Sequence, residues 1–322
     1  MRYLTAFIIA GASLAAAPAA AAYPWPLKPF DRPHAVQGNF GDPRTIFFNQ
    51  PPETLYSPGV FNFHNGIDIS APGGTRVYPV ADGRVHILSP TVVAVLSPGV
   101  EFKYVHIDPA VFEGEQVFRS STVLGYVAAW AKHLHFTEIR HDRVLNPLRR
   151  GAITPYFDHT KPTVTELVVR NDHGDQLKAP YRLCGTVSIS AAAEDPTSMP
   201  VPGIHAGLPL SPALVAWNLR APDGALVVPY RRAVDFLRGL PTNKHFWSVY
   251  AHGTFQNVAR FGRTQVARLE GYYLFRLVPH LDTENLRNGD YTLTVTARDA
   301  RGNQGTLSET LTVANGTPDC AD

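Results

Sequence analysis

With 322 residues, 44% of them hydrophobic and 17% charged, the chain is long enough for two domains of ordinary size. Its 29 basic and 27 acidic residues leave a formal net charge of +2, which excludes the broad basic footprint of a nucleic-acid-binding protein. The first element in chain order is a leader. Arg2, the apolar run from Leu4 to Leu14 and the small residues Ala20, Ala21 and Ala22 read as a secretory signal peptide over 1–22, with cleavage expected before Tyr23. No later run approaches the roughly 18 apolar residues that span a bilayer. The mature chain is therefore expected to be exported, periplasmic or extracellular, with no membrane span after signal cleavage.

From about Ala35 to Pro147 the sequence consists of short β-like runs punctuated by Gly and Pro. "TRVYPVADGRVHIL", "TVVAVL", "FKYVHI" and "KHLHFTEI" follow one another without helical periodicity, predicting a compact all-β unit within a first domain over 23–159. "VTELVVRN", after Lys161-Pro162, opens a second domain over 160–315, and a tail covers 316–322. In "NGDYTLTVTARDARGNQGTLSETLTVAN", Tyr291, Leu293, Val295 and Ala297 alternate with threonines, and "DARGNQG" predicts a hairpin turn. "ALVAWNLRAPDGALVVPYRR" predicts another hairpin, centred on Pro222-Asp223-Gly224. The expected architecture is a β-sandwich. Tyr291, entering its strand just after Asn288-Gly289, resembles the tyrosine corner of immunoglobulin-like domains. "AVDFLRGL" and the segment around "FWSVYAHG" interrupt this block, with no function legible in them. The two cysteines, Cys184 and Cys320, are expected to form a disulfide in an exported chain.

"FNFHNGIDIS", residues 61–70, sets His64 and Asp68 four positions apart. Gly66, the β-branched Ile67 and Ile69, and the Ala71-Pro72-Gly73-Gly74 that follows disfavour a helix. A straight strand would hold positions i and i+4 about 13 Å apart. One zinc ion, with bonds of about 2.0–2.2 Å, cannot span that distance. A shared metal requires the chain to fold back, and Asn65-Gly66 permits such a turn through positive φ. On these residues alone a metal site, a packed pair and a polar turn all stay open.

In "KHLHFTEI", His133 and His135 project from one strand face about 6.6 Å apart, with Leu134 and Phe136 directed to the core. "FKYVHIDP" places Tyr104 and His106 on one strand face and Lys103 and Val105 on the other. Each piece alone is a weak signal for chemistry. His34, His86, His141, His159, His173, His205, His245, His252 and His280 have no partner at ligand spacing and are expected to be solvated or locally hydrogen-bonded.

Taken together, His64-x-x-x-Asp68, Tyr104-Val105-His106 and His133-Leu134-His135-Phe136 resemble the lysostaphin/LytM-type zinc endopeptidases. "QGNFGDPR", residues 37–44, is similar to the opening Gly-Phe-Gly-x-x-Arg segment of that family, and "HNGIDISAPGGTRVYPVADGRV" follows its HxGxDI…G…V…A…DGxV run. The resemblance covers about residues 35–147. It implies a mainly β fold, a compact antiparallel-sheet peptidase domain of the duplicated-hybrid-motif type, followed here by the immunoglobulin-like sandwich. It also implies a zinc ion held by His64, Asp68 and His135, with His106 and His133 as the catalytic histidines. Two nitrogens and one carboxylate oxygen leave a fourth tetrahedral position for water, whose pKa zinc lowers. The chain has no HExxH glutamate, so His106 and His133 divide the roles of proton acceptor and oxyanion stabiliser, in an order the sequence leaves open. Before the HxH pair, Trp130, Ala131 and Lys132 replace a Gly-rich loop, and the segment between Val85 and Phe102 is short. The groove rim is therefore expected to be altered, with Trp130 either lining the cleft or packing under the shortened loop.

The function implied first is hydrolysis of stem or cross-bridge peptides in bacterial peptidoglycan. A secreted metalloprotease acting on proteins is one alternative. A non-catalytic wall-binding or hydrolase-activating protein is another, opposed by the presence of all five chemical residues. The second domain is expected to have a structural or targeting role, its protein partner unassigned.

Overall fold

Alternation of buried apolar and outward polar residues produces strands almost throughout, and the expected mainly β architecture is present. The computed structural model describes residues 22–45, 61–257 and 270–317; nearly all of the expected signal peptide, and Cys320, lie outside the described residues. An antiparallel sheet organises the N-terminal block. Its order is Val36–Gly38, Ile67–Ser70, His133–Arg140, Val100–Val105, Val92–Ser97, Gly83–Ser89, Gln116–Val117, with Arg143–Leu145 also paired to His133–Arg140. A small sheet of Arg76–Val77, Gly125–Val127 and Ile107–Pro109 and a ribbon of Pro43–Arg44 with Asn62–Phe63 accompany it. No helix among the described residues is long and apolar enough to cross a membrane.

The central strand, His133–Arg140, has two different faces. Leu134 and Phe136 are wholly buried, and Phe136 packs against Phe102, Tyr104 and Tyr23 at ring-centroid distances of 5.8, 5.5 and 5.9 Å. Burial of each such ring contributes on the order of 2 kcal/mol. Further along, the same inward face carries a charge. Glu138 is fully buried, accepts from the Tyr23 hydroxyl at 2.7 Å and from Arg140 at 2.6 Å, and takes two bonds from Arg149 at 2.6 and 2.8 Å. Burial opposes its charge, but the Arg149, Tyr23 and Arg140 bonds hold its carboxyl below the usual value. A group with a depressed folded pKa contributes stability above its unfolded value near 4.3 and loses it as pH falls through the folded value. Glu138→Ala is expected to lower unfolding stability by about 3 kcal/mol, because it leaves Arg149 and the Tyr23 hydroxyl buried without their acceptor. Urea unfolding at pH 7 measures this, and a loss under about 1 kcal/mol would show the hub to be dispensable.

The second block is a pair of sheets. Thr163–Arg170, Thr186–Glu194 and Leu274–Asp282 form one; Tyr181–Leu183, Gln304–Val313, Gly289–Arg298, Leu214–Arg220 and Leu226–Asp235 form the other. Both expected hairpins are present. The Tyr291 hydroxyl donates to the Arg287 carbonyl at 3.0 Å, the backbone bond a tyrosine corner makes. Cys184 is disulfide-bonded.

Among the described residues no sheet crosses residue 160 and backbone pairing there is limited to the isolated bridge Leu145–Gly239, but one apolar core crosses it. The two interrupting segments without a legible function supply the junction. Phe236, Phe246 and Tyr250 pack on Phe63 at 5.5, 5.3 and 5.9 Å, and Trp247 meets Phe61 edge-on at 4.8 Å. The Tyr250 hydroxyl donates to the Gly41 carbonyl at 2.8 Å, and the Ser211 amide to Asp42 at 2.9 Å. These contacts brace the two stretches, 37–44 and 61–70, that carry the first half of the candidate site.

Candidate metal centre

Strand register assembles the site. His135 lies opposite Asp68 on one side and Val105 on the other, and His133 lies opposite Ser70. Asp68 and His135 are thereby neighbours on one sheet face. His64 follows the ribbon strand Asn62–Phe63, whose partner is Pro43–Arg44. The chain does fold back between His64 and Asp68, but not through positive φ: neither Asn65 nor Gly66 is in the left-handed region. Close approach explains Gly66 instead. A Cβ there would meet the Phe136 carbonyl oxygen, and would stand 2.8 Å from both His135 Nε2 and Thr137 Oγ1. Gly38 is held by a similar limit, since its Cβ would lie 2.5 Å from Asp68 Oδ2.

The three expected ligands converge. His64 Nε2 is 3.0 Å from Asp68 Oδ1 and 2.8 Å from His135 Nδ1, which is itself 3.1 Å from Asp68 Oδ1. The outer atoms are committed elsewhere. His64 Nδ1–H donates to the Asn39 carbonyl at 2.8 Å, which leaves Nε2 with a lone pair. His135 Nε2 meets Thr137 Oγ1 at 2.9 Å, and Arg44 donates to the other Asp68 oxygen at 2.9 Å. Such outer partners fix the tautomer and direction of metal-binding imidazoles. Burial lowers the pKa of His64 to about 3, the Arg44 charge adding to the effect, so its imidazole is neutral. Burial opposes ionisation of Asp68, but the histidines around it, His64, His133 and His135, hold its carboxyl well below the usual range. Acceptor atoms of two imidazoles and one carboxylate, crowded within 3.1 Å, form a donor set that fits a divalent cation such as zinc.

The other two histidines stand beside this group. His133 Nδ1–H donates to the Ala131 carbonyl at 2.8 Å, so Nε2 is left toward Asp68 Oδ1, at 3.6 Å. His106 departs from the sequence expectation. Strand Val100–Val105 ends before it, and its φ of 67° breaks the alternation. It therefore lines the groove with Lys103 and Val105, while Tyr104 is buried in the core. A non-glycine residue in that region is uncommon and strained. Its ring lies 4.8 Å from that of His133 and 5.1 Å from that of Trp130. Burial, reinforced by the His133 charge, lowers its pKa to about 4. Trp130 is 67% exposed and lines the cleft instead of packing beneath a loop.

The groove encloses about 1070 Å³ and draws on both blocks. Arg44 entered the sequence reading only as the last residue of the 37–44 segment, without a role, and Thr137 and the Asn39 carbonyl were not singled out. Thr137 had a signal, since His133, His135 and Thr137 share one strand face by period two. His205, expected to be solvated or locally bonded, lines the groove, and its Nδ1 is enclosed without a hydrogen-bond partner among the described residues.

No protein-family profile matches the chain, and no curated protein matches it. Solved structures similar to it include Csd3 of Helicobacter pylori, 24% identical with a TM-score of 0.31, over 42% of this chain and 36% of that one. The catalytic domain of the prophage-encoded protein EnpA from Enterococcus faecalis is 19% identical with a TM-score of 0.29, over 42% of this chain and 99% of that one. The deep-sea metalloprotease pseudoalterin is 17% identical with a TM-score of 0.28, over 51% of this chain and 93% of that one. The chain thus spans about a third of the length of Csd3. Likenesses at this level assign neither activity nor substrate.

Proposed function

We propose that the chain is an exported zinc endopeptidase that hydrolyses the peptide part of bacterial peptidoglycan. One observation carries this reading: His64 Nε2, Asp68 Oδ1 and His135 Nδ1 converge within 3.1 Å, while His106 and His133 flank them in the same open groove. Bound zinc would supply an acidified water and polarise the scissile carbonyl. The protein's own groups divide the remaining work. His133, its Nδ1–H fixed on Ala131, turns Nε2 toward the donor set, where that nitrogen is placed to exchange a proton with a bound water. His106 is kept neutral by burial, so it retains one N–H to donate to the oxyanion. Its side chain makes no hydrogen bond to the described residues, which leaves that donor for substrate, and the edge of Trp130 limits the ring's freedom.

The lining suits a carboxylate-bearing peptide. Its acidic members, Asp42 and Asp68, both pair with Arg44, whereas the exposed Lys132 has no ion pair with the described residues. Stem peptides carry such carboxylates. The test is to incubate the zinc-loaded full chain with purified sacculi and, separately, with casein, and to identify released peptides by mass spectrometry. Release from sacculi alone is the expected result. Cleavage of casein alone would move the substrate to proteins. No cleavage by a protein carrying one zinc would leave a non-catalytic wall binder.

A further inference from the structure

Asn39, Phe40, Gly41 and Asp42 form a turn between the strands Val36–Gly38 and Pro43–Arg44, closed by the Asp42 amide donating to the Asn39 carbonyl at 3.2 Å. Asp42 Oδ2 closes it a second time by accepting from the Asn39 amide at 2.8 Å. One side of the turn grips a single residue. The Gly41 amide donates to the His64 carbonyl at 2.9 Å, and the His64 amide donates to the Asp42 carbonyl at 2.8 Å. His64 Nδ1–H donates to the Asn39 carbonyl, also at 2.8 Å. This last bond sets the imidazole: with the hydrogen on Nδ1, the Nε2 lone pair turns to Asp68 and His135.

The other side of the turn is held by the second block. The Ser211 amide donates to Asp42 Oδ1 at 2.9 Å, Asn39 Nδ2 donates to the Ser211 carbonyl at 3.1 Å, and the Tyr250 hydroxyl donates to the Gly41 carbonyl at 2.8 Å. Ser211 and Tyr250 are wholly buried, their hydroxyls 3.1 Å apart. Gly41 marks how closely the block approaches: its φ is +94°, and an added Cβ would run into the Phe236 ring. Three bonds to a metal-binding candidate and three to the second block thus meet in four residues.

We propose that turn 39–42 is a positioning element through which Ser211 and Tyr250 of the second block set the tautomer and direction of the His64 imidazole. The second block then has a part in the metal centre itself. Its consequence, tighter zinc binding, rests on the zinc reading of that centre. Outer partners of metal-binding imidazoles hold the ring for the ion, and a ring fixed beforehand limits the ordering cost of binding. Neither Ser211 nor Tyr250 lines the groove, so the turn is their route to the site.

The test deletes the outer bonds one at a time in the full chain. Tyr250→Phe keeps the ring on Phe63 and leaves the Gly41 carbonyl without its donor. Asn39→Leu keeps the bulk and removes the bond to Ser211, while the backbone carbonyl that accepts from His64 remains. Arg301→Leu is the comparison. It breaks contacts away from the turn, a bond to the Ile153 carbonyl and the stacking on Tyr156. Zinc affinity is read by competition with a chelator, the His64 ring by 15N NMR of the metal-free, histidine-labelled chain, and stability by Tm. The metal-free parent is expected to show His64 as one tautomer, with its hydrogen on Nδ1. In Tyr250→Phe and Asn39→Leu the two ring-nitrogen shifts should move toward each other and zinc affinity should fall about ten-fold. Arg301→Leu should lower Tm with ring signals and affinity unchanged. Ring signals unaltered in both turn variants would overturn the proposal, as would a loss of affinity that tracks Tm through all three. A parent that shows the Nδ1 tautomer but binds no zinc removes the metal reading alone. The ring signals of the variants then still decide whether the turn positions His64.

Discussion

His64→Ala, Asp68→Ala and His135→Ala are each expected to remove bound zinc and hydrolysis together, whereas His106→Ala and His133→Ala keep the zinc and lose the hydrolysis. The three atoms proposed as ligands stand within 3.1 Å of one another, so deleting any one would leave two donors where the proposed site offers three. The other two histidines have different commitments: His133 is fixed by the Ala131 carbonyl, and His106 lies against Trp130. Their loss should lower kcat by about 100- to 1,000-fold, the usual consequence of removing a proton acceptor or an oxyanion donor. Elemental analysis of the purified variants, alongside peptide release from sacculi, measures both quantities. The sharpest comparison is between His133 and His135, which are two residues apart on one strand face. Zinc retained by His135→Ala and lost by His133→Ala would reverse the ligand assignment.

Gly66→Ala should damage the metal centre although it touches no ligand atom directed at the ion. The added Cβ would run into the Phe136 carbonyl oxygen and stand 2.8 Å from both His135 Nε2 and Thr137 Oγ1, atoms that together hold the His135 ring. The strand carrying them is the middle of a packed sheet, so it cannot retreat cheaply. The expected result is a 10- to 100-fold loss of zinc affinity, the range seen when outer partners of metal ligands are disturbed, with about 1–3 kcal/mol of overpacking. Gly74→Ala is the comparison. It is strained by a φ of +82° but its Cβ meets nothing within 4 Å, so it should lower stability without changing affinity. Zinc competition with a chromophoric chelator reads the difference. Equal affinity in Gly66→Ala and the parent would show that the His135–Thr137 pair does not tune the site.

Sequence by itself determined the β class, the hairpins of the second block and the residues that converge in the groove. These follow from local physics: alternation of period two fixes which residues share a strand face, and turn residues fix where strands end. His133 and His135 fall on one face by spacing alone. The grouping of His64, Asp68 and His135 was legible only through the combined motifs, because a separation of four residues does not state how the chain bends. Tertiary structure decided the rest. Pairing of Ile67–Ser70 with His133–Arg140 sets Asp68 opposite His135, and that register joins segments more than sixty residues apart. The reason for Gly66 is a close approach of that distant strand, invisible to a rule that reads glycine as a turn signal. The φ of His106 turns it off its expected strand face and into the groove. The interrupting segments "AVDFLRGL" and "FWSVYAHG" looked idle because their partners, Phe61 and Phe63, are nearly two hundred residues away. His205 was hidden for the same reason: its surroundings come from packing between two blocks, and no local spacing encodes them.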